Sequence, residues 1–204
     1  MKSIFITVLV FFFLSCKAQI VVPLASDSDM TYKSGTYNKD IDNDFDKYVG
    51  TWKHQQGNTS LKIVLKKITF DHFVTEYKNY YQDILVGEYQ YIENGIEKVN
   101  TLQQMELMPS EASGYNISGN LIIGKNTYPK CSECNLNERR IKLRYRDPER
   151  KYLSNAIVLR YKNENSVEKI IAKIFKNGTS FMPPDNAPDE MRIPYGEYIL
   201  IKQP

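Results

Sequence analysis

Apolar and polar residues alternate along most of the chain from Gly50 onward, with the two-residue period of half-buried β-strands. In the stretch TSLKIVLKKI, Leu61, Ile63 and Leu65 fall on one face and Lys62 and Lys66 on the other. Similar runs continue to the last one, YGEYILIK, and no segment sustains a helical period. We therefore predict about eight to ten strands, preceded by one short helical turn near Asp44 to Val49.

The connections between these runs favour antiparallel neighbours. Asn94-Gly95 separates two alternating runs in GEYQYIENGIEKVNTL, and this dipeptide favours the positive φ angles of a type I′ hairpin turn. A sheet of this many one-sided strands tends to curl, close or split into two layers. The predicted fold class is all-β, an antiparallel meander closing into a β-barrel, in a single domain of residues 44–204. The alternative is a β-sandwich.

The first 15 residues have the composition of a signal peptide. Lys2 supplies a positive charge, and an apolar run follows from Ile4 to Leu14. That run is too short to span a bilayer core of roughly 30 Å as a stable helix. Residues 1–15 are therefore predicted to be a secretory signal peptide that is removed on export.

Ser15-Cys16 resembles the end of a bacterial lipoprotein signal, in which the peptide is cut before the cysteine and the thiol carries a lipid. The resemblance implies lipid attachment at Cys16, membrane contact through that lipid, and an outer-membrane location facing the periplasm. Residues 16–43 are rich in Ser, Asp, Asn and Lys with little apolar periodicity, which predicts a lipid-attached tether. A second cut, at Ala18-Gln19, would instead release a soluble periplasmic or secreted protein.

The other two cysteines, Cys131 and Cys134, form a close pair in KCSECN. In an oxidising compartment this pair is predicted to close a disulfide, whose small ring stabilises the fold by about 2 kcal/mol. A redox-active Cys-x-x-Cys is one alternative, but it commonly needs a helix N-terminus, which the following residues do not predict. A zinc half-site is another, with His54 and His72 as the only histidines.

The chain's only tryptophan lies in Gly50-Thr51-Trp52, directly after the predicted helical turn. This motif resembles the first strand of the lipocalin and fatty-acid-binding superfamily. The resemblance implies a lipocalin-like β-barrel in which Trp52 plugs the closed end, with Gly50 placed where a side chain would collide with neighbouring backbone. It also implies an arginine stacked on the indole. The candidates for that arginine are Arg144, Arg146 and Arg160.

The whole chain is similar to an uncharacterised family of small lipoproteins from Gram-negative bacteria. The shared features are the start SCKAQ, the strand GTWK, the hairpin GEYQYIENGIEKVNTL and a final strand ending in Ile-Leu-Ile-Lys. This resemblance supports the barrel and the export signal, but it implies no activity.

Two groups of side chains have types that could form a catalytic couple or a calcium site. Asp71 and His72 are adjacent, and neighbouring residues of a strand point to opposite faces, so they are poorly placed to act as a catalytic couple. The spacing of the acids in DIDNDFD opens a calcium loop, but Phe45 and Thr51 occupy the positions that need Gly and Glu. Motifs for nucleophilic, phosphate-binding and dinucleotide chemistry do not occur. We predict no catalytic residue, no metal and no cofactor.

The charge balance bears on partners. The formal net charge is +3 and falls to +2 once Lys2 is removed with the signal peptide, which predicts no nucleic-acid partner. One basic cluster, ERRIKLRYRDPERK, covers residues 138–151. Its alternation with apolar residues predicts a strand with one solvated face. A docking site for phosphate or an acidic glycan is the alternative.

These observations lead us to expect a lipid-anchored, non-catalytic envelope protein that binds a small apolar or amphipathic ligand or an envelope partner. The alternative is a filled-core scaffold or interaction protein without a ligand, and a hydrolase-type enzyme is a third class. The interior discriminates between the first two, because a ligand site requires a continuous apolar cavity of a few hundred cubic ångströms.

Overall fold

The computed structural model describes residues 19–25, 31–107, 109 and 111–204. Within these ranges the chain forms eleven strands, one short α-helix (α1, Gln103–Leu107) and two 3-10 helices, Asp46–Tyr48 and Ala112–Gly114. The strands are β1 Ile20–Pro23, β2 Thr36–Lys39, β3 Gly50–Gln56, β4 Thr59–Val74, β5 Asn79–Glu93, β6 Ile96–Asn100, β7 Ile117–Ile123, β8 Arg140–Tyr145, β9 Asn155–Glu164, β10 Val167–Lys176 and β11 Gly196–Lys202. The predicted signal peptide, residues 1–15, and Cys16 lie outside the described residues.

Eight strands close into a barrel in the order β3, β4, β5, β7, β8, β9, β10 and β11, and every pair in this ring is antiparallel. The ring closes between its first and last strands, where Trp52 pairs with Lys202. It continues past the outlying strand β6 because β5 pairs directly with β7, with Leu85 opposite Gly119. The predicted all-β antiparallel barrel is confirmed, and the sandwich alternative is not what the chain forms.

The hairpin predicted at Asn94-Gly95 is also confirmed. Both residues have positive φ, 51° and 82°, and they join β5 to β6. β6 pairs with β5 outside the ring, so this hairpin adds a strand to the barrel wall without entering it. The following segment, which contains α1, returns the chain to β7.

The N-terminal part of the domain differs from the prediction. β1 and β2 pair with each other in parallel, and β2 pairs in parallel with β5, with Tyr37 opposite Tyr81. Thr36 and Asn38 are fully buried. A tether over residues 16–43 is therefore wrong for the part that includes these two strands. They bring the number of strands to eleven, above the predicted range.

Hydrogen bonds add to the apolar contacts that Val22 and Leu24 make in this segment. The Tyr37 hydroxyl donates to Asp83 at 2.6 Å, and the Asn38 side chain donates to the Tyr81 carbonyl at 3.2 Å. The Asp40 carboxylate accepts from the backbone N–H groups of Asp44 and Phe45, directly before the 3-10 helix. Polar residues in an apparent linker thus form a satisfied network, which a composition argument does not detect.

One apolar cluster fills the barrel interior. It is built from the inward-facing residues of the ring strands, and the 3-10 helix and the segment before β11 add to it. The largest fully buried side chains are Trp52, Tyr48, Tyr89, Tyr115, Tyr145 and Phe45.

Candidate functional site

Trp52, in the first strand of the ring, is part of the barrel core. The indole is fully buried, and its N–H donates to the Tyr48 carbonyl at 2.7 Å, which ties the first ring strand to the 3-10 helix. Gly50 has φ +126°, a region that favours glycine. A Cβ at this position would meet only the Lys202 side chain, at 3.6 Å, so the expected collision with backbone is wrong. The positive φ angle, rather than a lack of space for a side chain, is therefore what favours glycine at position 50.

The cation over the indole is a lysine. Lys202 Nζ lies 5.5 Å from the Trp52 ring centroid and also pairs with Glu168 at 2.8 Å. None of the three predicted arginines takes this role: Arg160, for example, pairs with Glu138 at 2.6 Å. The residue was missed because the resemblance implied an arginine, although the last strand of a closed barrel necessarily returns beside the first.

Tyrosines occupy much of the interior that a ligand would need. Tyr89 and Tyr145 pack with ring centroids 4.7 Å apart, and the Tyr89 hydroxyl donates to the Arg146 carbonyl at 2.9 Å. The Tyr48 hydroxyl donates to the Leu159 carbonyl at 3.2 Å. Burial raises the pKa of Tyr48, Tyr89 and Tyr145, so all three remain neutral. The barrel interior is therefore packed with side chains rather than open to a ligand.

A recess of the surface lies outside the ring, beside an extension that we call the arm. The arm, residues 69–83, is the part of the β4–β5 hairpin beyond the last pairings of these strands with β3 and β7. Its aromatic rings stack in pairs: Phe70 on Tyr81 at 4.1 Å and Phe73 on Tyr80 at 4.8 Å. Tyr77, at the tip, is 83% exposed.

The recess, here the arm groove, has a volume of about 630 Å³ and combines apolar with charged groups. One side of it is the arm, and the other is the loop after α1 together with the barrel wall. Its lining residues are Asp71, His72, Phe73, Val74, Gln82, Ile84, Glu111, Ala112, Ser113, Ser118 and Arg144.

The titratable groups of the arm groove do not form a catalytic couple. His72 Nε2 lies 2.8 Å from Asn79 Oδ1, whereas Asp71 accepts a hydrogen bond from Gln82 at 3.1 Å. Ser113, a hydroxyl in the groove, bonds to Glu111 and not to the imidazole. Among the described residues, neither Asp71 nor Ser113 is therefore hydrogen-bonded to the imidazole of His72.

The predicted Cys131–Cys134 disulfide is confirmed. The two Cα atoms are 5.4 Å apart, and the bridge lies in the loop between β7 and β8. Arg160 donates to the Glu133 carbonyl between the two cysteines at 2.8 Å. The disulfide therefore shapes a loop that an arginine of β9 also holds.

The aspartates that matched the opening of a calcium loop are bonded by the protein's own cations. Lys67 lies 3.0 Å from Asp40, and Arg139 contacts Asp42 at 2.5 Å and Asp44 at 2.7 Å. These pairs attach the N-terminal segment to β4 and to the residue that precedes β8. Among the residues that the structure describes, no three His, Cys, Asp or Glu side chains are grouped as metal ligands.

A model of a family of unknown function, DUF6705, matches residues 1–203. The chain belongs to that family. No curated protein and no solved structure matches it. Because the function of DUF6705 is unknown, membership in it does not indicate an activity for this barrel. Within the described part of the chain, no helix is long and apolar enough to cross a membrane.

Proposed function

We propose that this DUF6705 member is an exported, lipid-anchored, non-catalytic envelope protein whose filled barrel is a scaffold for contact with an envelope partner. This is the filled-core alternative of the sequence analysis. The observation that favours it over a ligand carrier is the interior itself, where Trp52, Tyr48, Tyr89 and Tyr145 occupy the space between the walls. The Gram-negative origin and the lipid at Cys16 come from the sequence resemblances and belong to the proposal.

The arm is the surface we propose for the partner. Among the described residues, no strand pairs with the outer edge of β4 past Leu65, so this edge presents free backbone donors and acceptors. Exposed apolar side chains accompany it, with Phe70 46%, Val74 58% and Tyr77 83% exposed. An edge strand with apolar neighbours suits a partner segment that adds as a further strand.

A test of the filled interior uses N-phenyl-1-naphthylamine, an apolar dye whose fluorescence rises in an apolar cavity. The native protein is expected to give no saturable signal. Saturable dye binding by the unmodified protein, displaced by a fatty acid, would show a ligand carrier instead.

A test of the partner surface uses photo-crosslinking from residues of equal exposure. A crosslinking amino acid at Tyr77, 83% exposed on the arm, is expected to capture a discrete envelope protein in cells. The same amino acid at Leu136, 79% exposed on the loop before β8, is the control. Equal capture from both positions, or none from Tyr77, would contradict a partner at the arm.

The anchor is tested separately. Cys16→Ala should move the protein from the membrane fraction to the soluble periplasm, and the mass of the native N-terminal peptide should include the lipid. A soluble native protein that begins at Gln19 would establish the second cleavage site and exclude the anchor.

A further inference from the structure

A second recess, here the basic groove, lies on the outer wall of the barrel beside β8. It has a volume of about 540 Å³ and is closed by the turn after β8 and by residues after β10. Four of the residues that line this groove are cationic, and no Asp or Glu is among the lining residues. The cations are Lys142, Arg144, Arg146 and Lys151.

These cations differ from the other basic groups of the fold. Arg139, Arg160 and Arg192 each form an ion pair with a carboxylate within 2.7 Å. In the described residues, by contrast, no carboxylate lies within ion-pair distance of Arg144 or Arg146. Their side chains donate only to neutral groups near β7: Arg144 to the Ser118 hydroxyl at 2.7 Å, and both to the Ser113 carbonyl.

The two adjacent guanidinium groups repel each other, although the Glu88 carboxylate attracts Arg146 from beyond ion-pair distance. Burial, together with the like charge of Arg146, lowers the pKa of Arg144. An arginine nevertheless stays protonated at neutral pH, so the repulsion persists in the folded protein. An anion placed between the two side chains would remove this repulsion and could accept the forked hydrogen bonds that arginine offers to phosphate and carboxylate.

The remaining lining residues indicate which kind of molecule bears the anionic group. The groove is larger than a single phosphate or carboxylate group needs, and Tyr152 and Phe181 add aromatic surface to it, Phe181 being 75% exposed. Ser154 and Asn177 add polar groups on the same wall. Aromatic faces combined with hydroxyl and amide groups suit a sugar ring, which has apolar C–H faces and a polar edge.

We propose that the basic groove binds an anionic saccharide, with Arg144 and Arg146 contacting its phosphate or carboxylate and Phe181 packing against the sugar ring. The saccharide has two sources, a free acidic oligosaccharide or the phosphorylated sugar headgroup of a glycolipid. The site does not depend on the anchor, and it shares only Arg144 with the arm groove.

Isothermal titration calorimetry of the mature folded protein tests the proposal. The probes are tetragalacturonate, the acyl-free bisphosphorylated diglucosamine disaccharide, inorganic phosphate and neutral maltotetraose. Saturable binding is expected for one of the two anionic saccharides and not for maltotetraose, with affinity that falls as salt is raised. Tetragalacturonate binding indicates the free source, and disaccharide binding indicates the glycolipid source.

Variants locate the site. Arg144→Gln with Arg146→Gln is expected to weaken the saccharide at least about tenfold, because the charge-assisted contacts are lost. Lys66→Gln removes the same charge from an exposed position on β4 and should leave the affinity unchanged. Phe181→Ser should weaken the saccharide but not inorganic phosphate. Lys151→Gln, on an exposed residue, provides a milder variant if the double one does not fold.

Several outcomes would overturn the proposal. Absence of saturable binding by every anionic probe would do so, as would equal weakening by Lys66→Gln. Binding of maltotetraose as tight as that of the anionic saccharides would exclude charge recognition. Binding of inorganic phosphate as tight as that of the saccharides would reduce the site to a simple anion contact.

Discussion

Replacing Trp52 by alanine is expected to remove a large part of the stability of the fold. The indole is fully buried in the barrel core. Burying an indole removes on the order of 200 Å² from water, which at about 25 cal/mol per Å² corresponds to about 5 kcal/mol. The area-based value is an upper bound, because an unfolded chain already buries part of its apolar surface.

Two polar contacts add to this burial. The 2.7 Å hydrogen bond from the indole N–H to the Tyr48 carbonyl contributes about 1 kcal/mol and would leave a buried acceptor unpaired when lost. Lys202 loses the ring above which its ammonium group lies. Together these terms give an expected loss of about 3 to 5 kcal/mol for Trp52→Ala, within the range for truncating a large core aromatic.

Urea unfolding followed by far-UV circular dichroism measures this loss, because the variant lacks the chain's only tryptophan. Lys53→Gln, the next residue of β3, is the matched control and should change the unfolding free energy by less than about 0.5 kcal/mol. In the native protein, the emission should be blue-shifted and resistant to acrylamide. A loss below about 1 kcal/mol, or an indole fully quenched in the folded state, would refute the barrel-floor interpretation.

Three further predictions follow from contacts described in the barrel. Replacing Cys131 and Cys134 by serine should lower the unfolding free energy by no more than about 2 kcal/mol, since the ring is small; loss of the fold in calorimetry would contradict this. Although burial alone would raise the pKa of Asp147, hydrogen bonds from Arg192 lower it, so its stabilisation is present above the usual carboxyl pKa and is lost as pH falls through the lowered value. Asp147→Asn should therefore cost about 3 to 5 kcal/mol at neutral pH and flatten the fall in stability below about pH 4 in urea titrations; an unchanged acid profile would argue against it. Asp83→Ala leaves the Tyr37 hydroxyl unpaired, so hydrogen exchange should accelerate in β1 and β2 while the ring stays protected, and uniform exchange across the domain would contradict a local role.

The barrel could be predicted because each wall strand buries one face, and that requirement leaves a two-residue period in the sequence. Leu61, Ile63 and Leu65 show it most clearly, and Asn94-Gly95 marks its hairpin. β1 and β2 leave no such period. The side chains of β2 are held by hydrogen bonds to residues more than 40 positions away, which a local pattern does not encode.

The two grooves could not be predicted from the sequence for a similar reason. Asp71, Glu111 and Arg144 come together at the arm groove only because the ring brings β4, β7 and β8 to neighbouring positions. The basic cluster was visible in the sequence, but its alternation equally fitted a solvated strand. What distinguishes it is the absence of carboxylates among the lining residues, and that depends on which loops fold over β8.

The attachment of β1 and β2 to the sheet changes how far an anchored barrel could move. A flexible tether of 28 residues, as the composition of residues 16–43 predicts, would let the domain range about 30 Å from the bilayer. β1 instead begins at Ile20, four residues after Cys16, and four residues reach at most about 14 Å in any conformation. A lipid at Cys16 would then hold the sheet against the membrane surface with little freedom to turn. The N-terminal strands would then set the orientation of the barrel toward its neighbours.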